Sequence, residues 1–353
     1  MDLQLNPDET RFKKAITLFI DTNFPLAIRE SPSPADLDCW YYAVSKEGWI
    51  APEWDTKVGG PGWSPMKIYL WYSLTTDAHC PLPDYCALQI AGPLLHRYGN
   101  NPLHQSEVEK ILDQSVIWGS ALFPGNKSIT VSVLDDGYEL DGSLPCYSLR
   151  GPADRILVLG DTDDGYSLFI IDAKKNGVQL VPGRFSETIS ILQLDRIQVS
   201  RSALVGHEDM GLEHLIYLLT ERQSISTVVS LKSSLYSLRK IVSELDLGEE
   251  FAHQVADYEI ELEGLEITGL RSLINNRGQN IQAINSRVEK LRRKMNDSVT
   301  SALGYYSIPQ KSLNPGENEP SVSPGTGLQQ TDPFTSCPEG FREDLIARTM
   351  LGL

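Results

Sequence analysis

The sequence predicts a multidomain α and β protein: an N-terminal helical domain, a small antiparallel β-barrel or sandwich, and a C-terminal helical bundle. Three observations predict it. Residues 8–120 carry apolar side chains at helical spacing. Residues 119–205 switch to a period of two, with Gly, Asp and Asn turns between the runs. Residues 211–306 return to the spacing of three and four. The expected domains are 1–118, 119–206 and 207–353. The total of 353 residues suits two or three domains.

The first helix opens at Thr10-Arg11-Phe12 and carries Phe12, Ile16, Leu18, Phe19 and Ile20. Ser33-Pro34-Ala35-Asp36 is a second start, with a capping hydroxyl, Pro at the first helical position and an acid against the positive end of the helix. A Gly/Pro/Trp loop, Gly59-Gly60-Pro61-Gly62-Trp63-Ser64-Pro65, leads into a helix over Met66–Leu74. Helical pieces at Cys86–Tyr98, His104–Leu112 and Ser115–Trp118 follow. Expected strands are Ile129–Val133, Tyr138–Leu140, Ile156–Leu159, Ser167–Ile171 and Ile189–Val199. Hairpin turns fall at Asp136-Gly137, Asp141-Gly142, Asp164-Gly165 and Asn176-Gly177. Helices then cover Leu212–Leu219, Glu250–Ile274, Arg287–Leu303 and Phe341–Leu353, and the Pro/Gly/Ser-rich stretch 309–334 reads as a flexible segment.

The formal net charge of −16 argues against nucleic acid, whose phosphates reward basic surfaces, and leaves room for a phosphorylated ligand on a local basic patch. No apolar run approaches the ~20 residues a membrane span needs. The first ten residues lack a basic and apolar leader, so the expected compartment is the cytoplasm. Five widely spaced cysteines without a Cys-x-x-Cys fit reduced thiols, and no familiar metal-ligand spacing occurs. Asp161-Thr162-Asp163-Asp164-Gly165 reads as a hairpin, because no Glu completes a calcium loop. Glu259, Glu263 and Glu266 read as a solvated helix face, and Arg292-Arg293-Lys294 as a surface cluster.

From Leu192 a largely alternating strand runs through Leu194, Ile197 and Val199, turns at Gly206 and Gly211, and enters a helix ending Leu218-Leu219-Thr220-Glu221-Arg222. This stretch resembles the passage from the β-domain to the C-terminal domain of acyl-CoA dehydrogenases. The segments Glu47-Gly48-Trp49, Ala51-Pro52-Glu53-Trp54 and Gly92-Pro93-Leu94-Leu95-His96-Arg97-Tyr98-Gly99-Asn100 are similar to the family's N-terminal domain, in branches with bulky acyl substrates. Ser167–Asp172, followed by Gly177-Val178, and the ending Arg342–Leu353 resemble family segments too.

The resemblance implies FAD as cofactor, an acyl-CoA thioester as substrate, electron-transferring flavoprotein as acceptor, and α,β-dehydrogenation with a carboxylate as base. It places that base at Glu221, because the family's alternative position falls on Ser336. It leaves Ser128 and Ser148 as cofactor-binding candidates. The departures also lie at the flavin motifs. Where the family reads S-E-P-G-A-G-S-D, this chain has Leu122-Phe123-Pro124-Gly125-Asn126-Lys127-Ser128-Ile129. Cys146 stands for the Trp that shields the flavin ring, Tyr147 and Ser148 stand for two Thr, and Ser336-Cys337-Pro338 for E-G-T. The expected function is therefore the flavin-site-degenerate subunit of a heteromeric, steroid-type acyl-CoA dehydrogenase, paired with a second dehydrogenase-like subunit. The alternatives are a self-sufficient homo-oligomer using Glu221, and a non-redox protein that binds acyl-CoA or serves as a scaffold.

Overall fold

The computed structural model describes residues 5–81, 84–123, 128–148, 150–182, 189–220, 225–275 and 281–303. In chain order come helices α1 (Pro7–Asn23), α2 (Pro34–Lys46), α3 (Pro65–Asp77), α4 (Gly92–Tyr98) and α5 (Pro102–Leu112). Strands β1 (Trp118–Ala121), β2 (Ile129–Leu134), β3 (Gly137–Tyr147), β4 (Arg155–Asp161), β5 (Tyr166–Asp172), β6 (Val178–Pro182), β7 (Ile189–Ser200) and β8 (Leu204–Val205) follow. Helices α6 (Gly211–Thr220), α7 (Ile225–Val229), α8 (Leu231–Glu244), α9 (Glu249–Asn275) and α10 (Ile281–Leu303) complete the order of helices, strands and helices. A buried π-helical turn, Cys86–Ala91, leads directly into α4. No helix among the described residues is long and apolar enough to cross a membrane.

The chain divides into two compact units. One takes the described residues of Met1–Leu37, Trp63–Pro81 and Gln223–Thr331, and the other those of Asp38–Gly62, Leu82–Arg222 and Asp332–Leu353. The first unit is helical. Its α1 begins with a capping box in which the Asn6 side chain accepts from Glu9 N and the Glu9 carboxylate accepts from Asn6 N, both at 2.9 Å. Leu231, Leu235, Leu238 and Ile241 on α8 pack with Val255, Leu262, Leu265 and Leu270 on α9 and with Ile284, Val288, Leu291 and Met295 on α10 as its buried apolar residues. The expected solvated face of α9 is only partly so. Glu266 is buried and meets Lys232 Nζ at 2.8 Å, and that ammonium also donates to Ser73 Oγ at 3.0 Å. Glu259 pairs with Arg239. On α10, Arg292 is buried rather than exposed, while Lys294 reaches Glu261 at 2.8 Å.

The second unit holds one eight-stranded sheet in the order β6-β7-β3-β1-β4-β5-β8. Strand β2 lies beside β3 along Gly137–Gly142 and touches β4 at Thr130↔Asp161. Strand β1 meets β3 at Ser120↔Tyr147 and runs parallel to β4 over Trp118–Ala121. The strip between β3 and β4 is thus filled by two short strands, β1 and β2. One core cluster runs through the sheet and includes Ile129, Leu140, Leu144, Cys146, Ile156, Val158, Phe169, Leu192, Leu194 and Ile197.

Two sequence expectations differ from this arrangement. Ser115–Trp118 is not helical: the Asp113 carboxylate accepts from Ser115 N at 2.8 Å and turns the chain, and Trp118 opens β1. Asp141-Gly142 is not a hairpin turn but lies inside β3. There Asp141 alone faces Asp195 and Arg196 of β7, a β-bulge, with Arg196 left-handed at φ 42° and its N–H on Asp141 Oδ1 at 3.2 Å. The bulge explains why the buried positions of β7 skip from Leu194 to Ile197. The hairpin expected at Asp136-Gly137 joins β2 to β3.

Gly142 has φ 131°, and a Cβ there would sit 2.3 Å from the Ser128 carbonyl oxygen. Gly142→Ala is expected to cost roughly 2–4 kcal/mol from strain and steric displacement together. A denaturant unfolding midpoint indistinguishable from that of the parent protein would contradict this account.

Candidate functional site

The sheet end that carries the family-like motif is built around a buried carboxylate. Asp84 precedes the π-helical turn; its Oδ1 accepts from Ala87 N at 3.1 Å, so it caps that turn. Its Oδ2 accepts from Trp118 N at 2.8 Å, which fixes the first residue of β1. Burial pushes the Asp84 carboxyl up to about 6, against the opposing pull of these backbone donors and of the Arg150 charge. The turn places the Cys86 thiol over the end of β3, where Sγ donates to the Tyr147 carbonyl at 3.4 Å and lies 3.6 Å from Ser120 Oγ.

Cys146, at the expected ring-shielding position, is 1% exposed and belongs to the sheet core. Burial pushes its thiol up to about 12. Across from it, Gly119 leaves the needed room: a Cβ there would lie 2.9 Å from Cys146 Sγ and 3.0 Å from Ala153 Cβ. Ser148 closes β3 and is also buried; its hydroxyl donates to the Gly151 carbonyl at 2.5 Å. The guanidinium of Arg150 stacks 3.9 Å from the Tyr41 ring and donates to Gln114 Oε1 at 2.7 Å. Burial pushes the Tyr41 hydroxyl up to about 12.

Ser128 is half-buried, and its carbonyl accepts from Ser143 N at 3.3 Å. It therefore sits near the middle of β3, while Ser148 follows the strand's last residue. Five residues of extended chain separate Ser143 from Ser148, roughly 17 Å. Glu221, the expected base, lies outside the described residues, as do Pro124–Lys127, the 309–334 segment and Ser336-Cys337-Pro338.

The helix leading toward Glu221 is described as far as Thr220. On it, His214 is 2% exposed, its ring 3.9 Å from that of Tyr98 and packed under Gly206. Among the described residues its Nδ1 has no hydrogen-bond partner, and burial lowers its pKa to about 4, so the ring is neutral at neutral pH. Arg97 lies 4.4 Å over the Tyr217 ring, which ties α4 to α6. The Trp54 indole donates to the Leu88 carbonyl at 3.3 Å, and Gly60 and Gly92 are the positions where a Cβ would collide with Trp54. Of the other glycines before Trp63, a Cβ at Gly59 would meet Leu112 and one at Gly62 would meet Thr56, so close packing accounts for the loop. The Asp161–Gly165 stretch forms the β4–β5 hairpin, and no group of three possible metal ligands occurs among the described residues.

The motif reading did not single out Asp84, Arg150, Tyr41 or His214. Asp84 alone had a legible signal, an Asp just ahead of a helical run. The other three act through contacts between positions distant in sequence.

No family model matches the sequence, and no curated protein matches it. Solved structures do. The ChsE4-ChsE5 complex from Mycobacterium tuberculosis is similar with a TM-score of 0.71 at 16% identity, over 100% of this chain and 99% of that one. The steroid ACAD Tcur3481-Tcur3483 gives the same TM-score, identity and coverage. The acyl-CoA dehydrogenase from Geobacillus kaustophilus gives 0.69 at 16% identity over 100% of both chains.

The Asp84 assignment has a pH signature. A carboxyl whose folded-state pKa is raised above its unfolded value of 3.8 contributes stability at low pH that is lost as pH rises through about 6. Asp84→Asn abolishes that titration and sets an amide N–H against one of two backbone donors, a loss of about 1–3 kcal/mol at neutral pH. The stability gap between parent and variant should widen by on the order of 2 kcal/mol between pH 7 and pH 4.5. Denaturant titrations at the two pH values measure it, and a gap that narrows would refute the assignment. Similarity over the full length at this identity establishes architecture, and the chain has the acyl-CoA dehydrogenase fold.

Proposed function

We propose that this chain is a subunit of an FAD-dependent acyl-CoA dehydrogenase acting on a bulky acyl-CoA, and that a second dehydrogenase-like subunit holds the flavin. The observation that carries this reading is Cys146. A flavin ring needs an aromatic or other flat surface against it, and the residue at that position is a thiol enclosed in the sheet core at 1% exposure. The Ser148 hydroxyl donates its proton within its own loop, to Gly151, and so is committed before any cofactor arrives. These side chains do not fit a flavin held by this chain alone, and no catalytic step is assigned to them.

What the chain's own residues do in this reading is structural. Asp84, Cys86 and Trp118 fix the sheet end, Arg150 clamps the loop after β3 onto Tyr41 and Gln114, and Arg97 with Tyr98 seats α6. The surfaces so fixed would meet the partner's flavin site, with acyl-CoA as substrate and electron-transferring flavoprotein as electron acceptor. Two of the similar structures are described as a complex or under a paired designation, which supports a two-chain assembly.

FAD supplies a visible spectrum with maxima near roughly 370 and 450 nm, a property of the cofactor itself. The protein purified alone is expected to be colourless, and a co-expressed dehydrogenase-like partner to bring down the yellow chromophore with it. In that complex Glu221→Gln in this chain should leave kcat/KM within about threefold, a change under 1 kcal/mol in transition-state stabilisation. A flavin spectrum in the lone protein, with turnover abolished by Glu221→Gln, would replace this reading with a self-sufficient dehydrogenase. No flavin in either preparation would leave a non-redox acyl-CoA-binding or scaffold protein.

A further inference from the structure

Ile260, Gly264 and Thr268 stand one turn apart along α9, and Ile284 and Arg287 stand one turn apart on α10. Between the two helices these residues line a groove of about 420 Å³, within the size range of small-molecule sites. Its floor is apolar, with Leu265 and Ile284 only 5% and 3% exposed, and Ile260 stands at its rim. Gly264 keeps it open. Glycine inside a helix is unfavourable relative to alanine. A Cβ built on Gly264 would meet nothing within 4 Å, so no packing contact requires the missing side chain.

Three polar side chains line the same groove, and two of them are already satisfied. Glu261 Oε2 is held by Lys294 Nζ at 2.8 Å, and the Thr268 hydroxyl donates to the Gly264 carbonyl at 2.7 Å. The third, Arg287, is exposed and makes no ion pair or hydrogen bond among the described residues. With 47 acidic and 31 basic side chains in the sequence, acids are in excess, and a cation paired with none of them is the exception. We propose that the groove binds a free straight-chain carboxylate. Its tail lies along Ile260, Gly264 and Thr268 over the apolar floor, and its carboxylate meets the Arg287 guanidinium, which can take both oxygens at once. Arg287 follows Ile284 by about 5 Å of helix, so the charge must be attached directly to the apolar chain. Ile260 to Thr268 spans about 12 Å of helix, which a zigzag of ~1.5 Å C–C bonds covers in roughly nine or ten carbons. An esterified acid of that length carries no charge where Arg287 needs one.

This inference stands apart from the flavin reading, because its readout is ligand affinity rather than colour or turnover. Isothermal titration of the purified full chain with decanoate should show one saturable site. From hexanoate to decanoate the affinity should rise about two- to fourfold per methylene, and it should level off beyond that length. Arg287→Gln should weaken decanoate by about fivefold or more and leave decanol within about twofold, because only the acid meets the guanidinium. Gly264→Leu fills the groove, and a helix favours leucine over glycine, so this variant should melt no lower than the parent chain and bind neither ligand. Decanoyl-CoA should not displace decanoate. No saturable decanoate binding, an affinity indifferent to chain length, an Arg287→Gln defect shared equally by decanol, undiminished binding in Gly264→Leu, or displacement by decanoyl-CoA at equal concentration would each overturn the proposal.

Discussion

The Asp84 carboxylate is the constraint on which the sheet end depends. Two backbone N–H groups from different parts of the chain converge on one acid, that of Ala87 in the π-helical turn and that of Trp118 at the start of β1. Either donor left without a partner in this dry interior would cost more than the bond is worth in water. Satisfying both with the two oxygens of one side chain fixes the distance and angle between turn and strand. The expense is a charge in a setting that resists it, seen in the raised carboxyl pKa. With β1 fixed, Ser120 pairs with Tyr147 and Gly119 leaves room beside the Cys146 sulfur, so the packing of Cys146 depends on that placement.

The helical unit solves a related problem with a whole ion pair. Lys232 is held by Glu266 at 2.8 Å and by Ser73, with Asp77 at 3.9 Å, so one ammonium links α8, α9 and α3. Such a pair adds less to stability than its Coulomb attraction suggests, because both groups lose water; what it supplies is a defined pairing of helices. In the sheet unit the same role falls to stacked cations, Arg150 on Tyr41 and Arg97 on Tyr217. The planar guanidinium suits these contacts because it keeps hydrogen-bonding while it lies on a ring.

The architecture was legible because it rests on periodicity. The apolar spacing of α9 and α10, the continuous apolar runs of β4 and β5 and the alternation along β7 survive in single segments and need no knowledge of neighbours. Short elements were not legible: β1, β6 and β8 are four, five and two residues long, below the length at which a period can be recognised. Asp141-Gly142 carried turn chemistry that the structure uses for a bulge, since a positive φ serves both. In the candidate site, the motif reading named Cys146 and Ser148 but could not show that one is enclosed and the other satisfied within its own loop. Burial of a short side chain depends on what stands opposite, here Gly119 and Ala153, about thirty residues upstream and seven downstream. Glu266 and Arg292 were misread as surface for the same reason, because a charged residue announces its partner only in three dimensions.

The fit between Gly119 and Cys146 bears on how readily this site can change. Position 146 is walled by small groups, with Gly119 and Ala153 within contact of the sulfur's surroundings and Ala121 in the same cluster. A bulky aromatic introduced there alone would overpack a full interior and displace β1 from β3. Widening the space first, by shortening one of the neighbouring core side chains, would open a void that nothing yet fills. Each single step toward a ring-bearing residue therefore passes through a less stable protein. The present packing holds position 146 to a small side chain by sterics rather than by the chemistry of the cysteine.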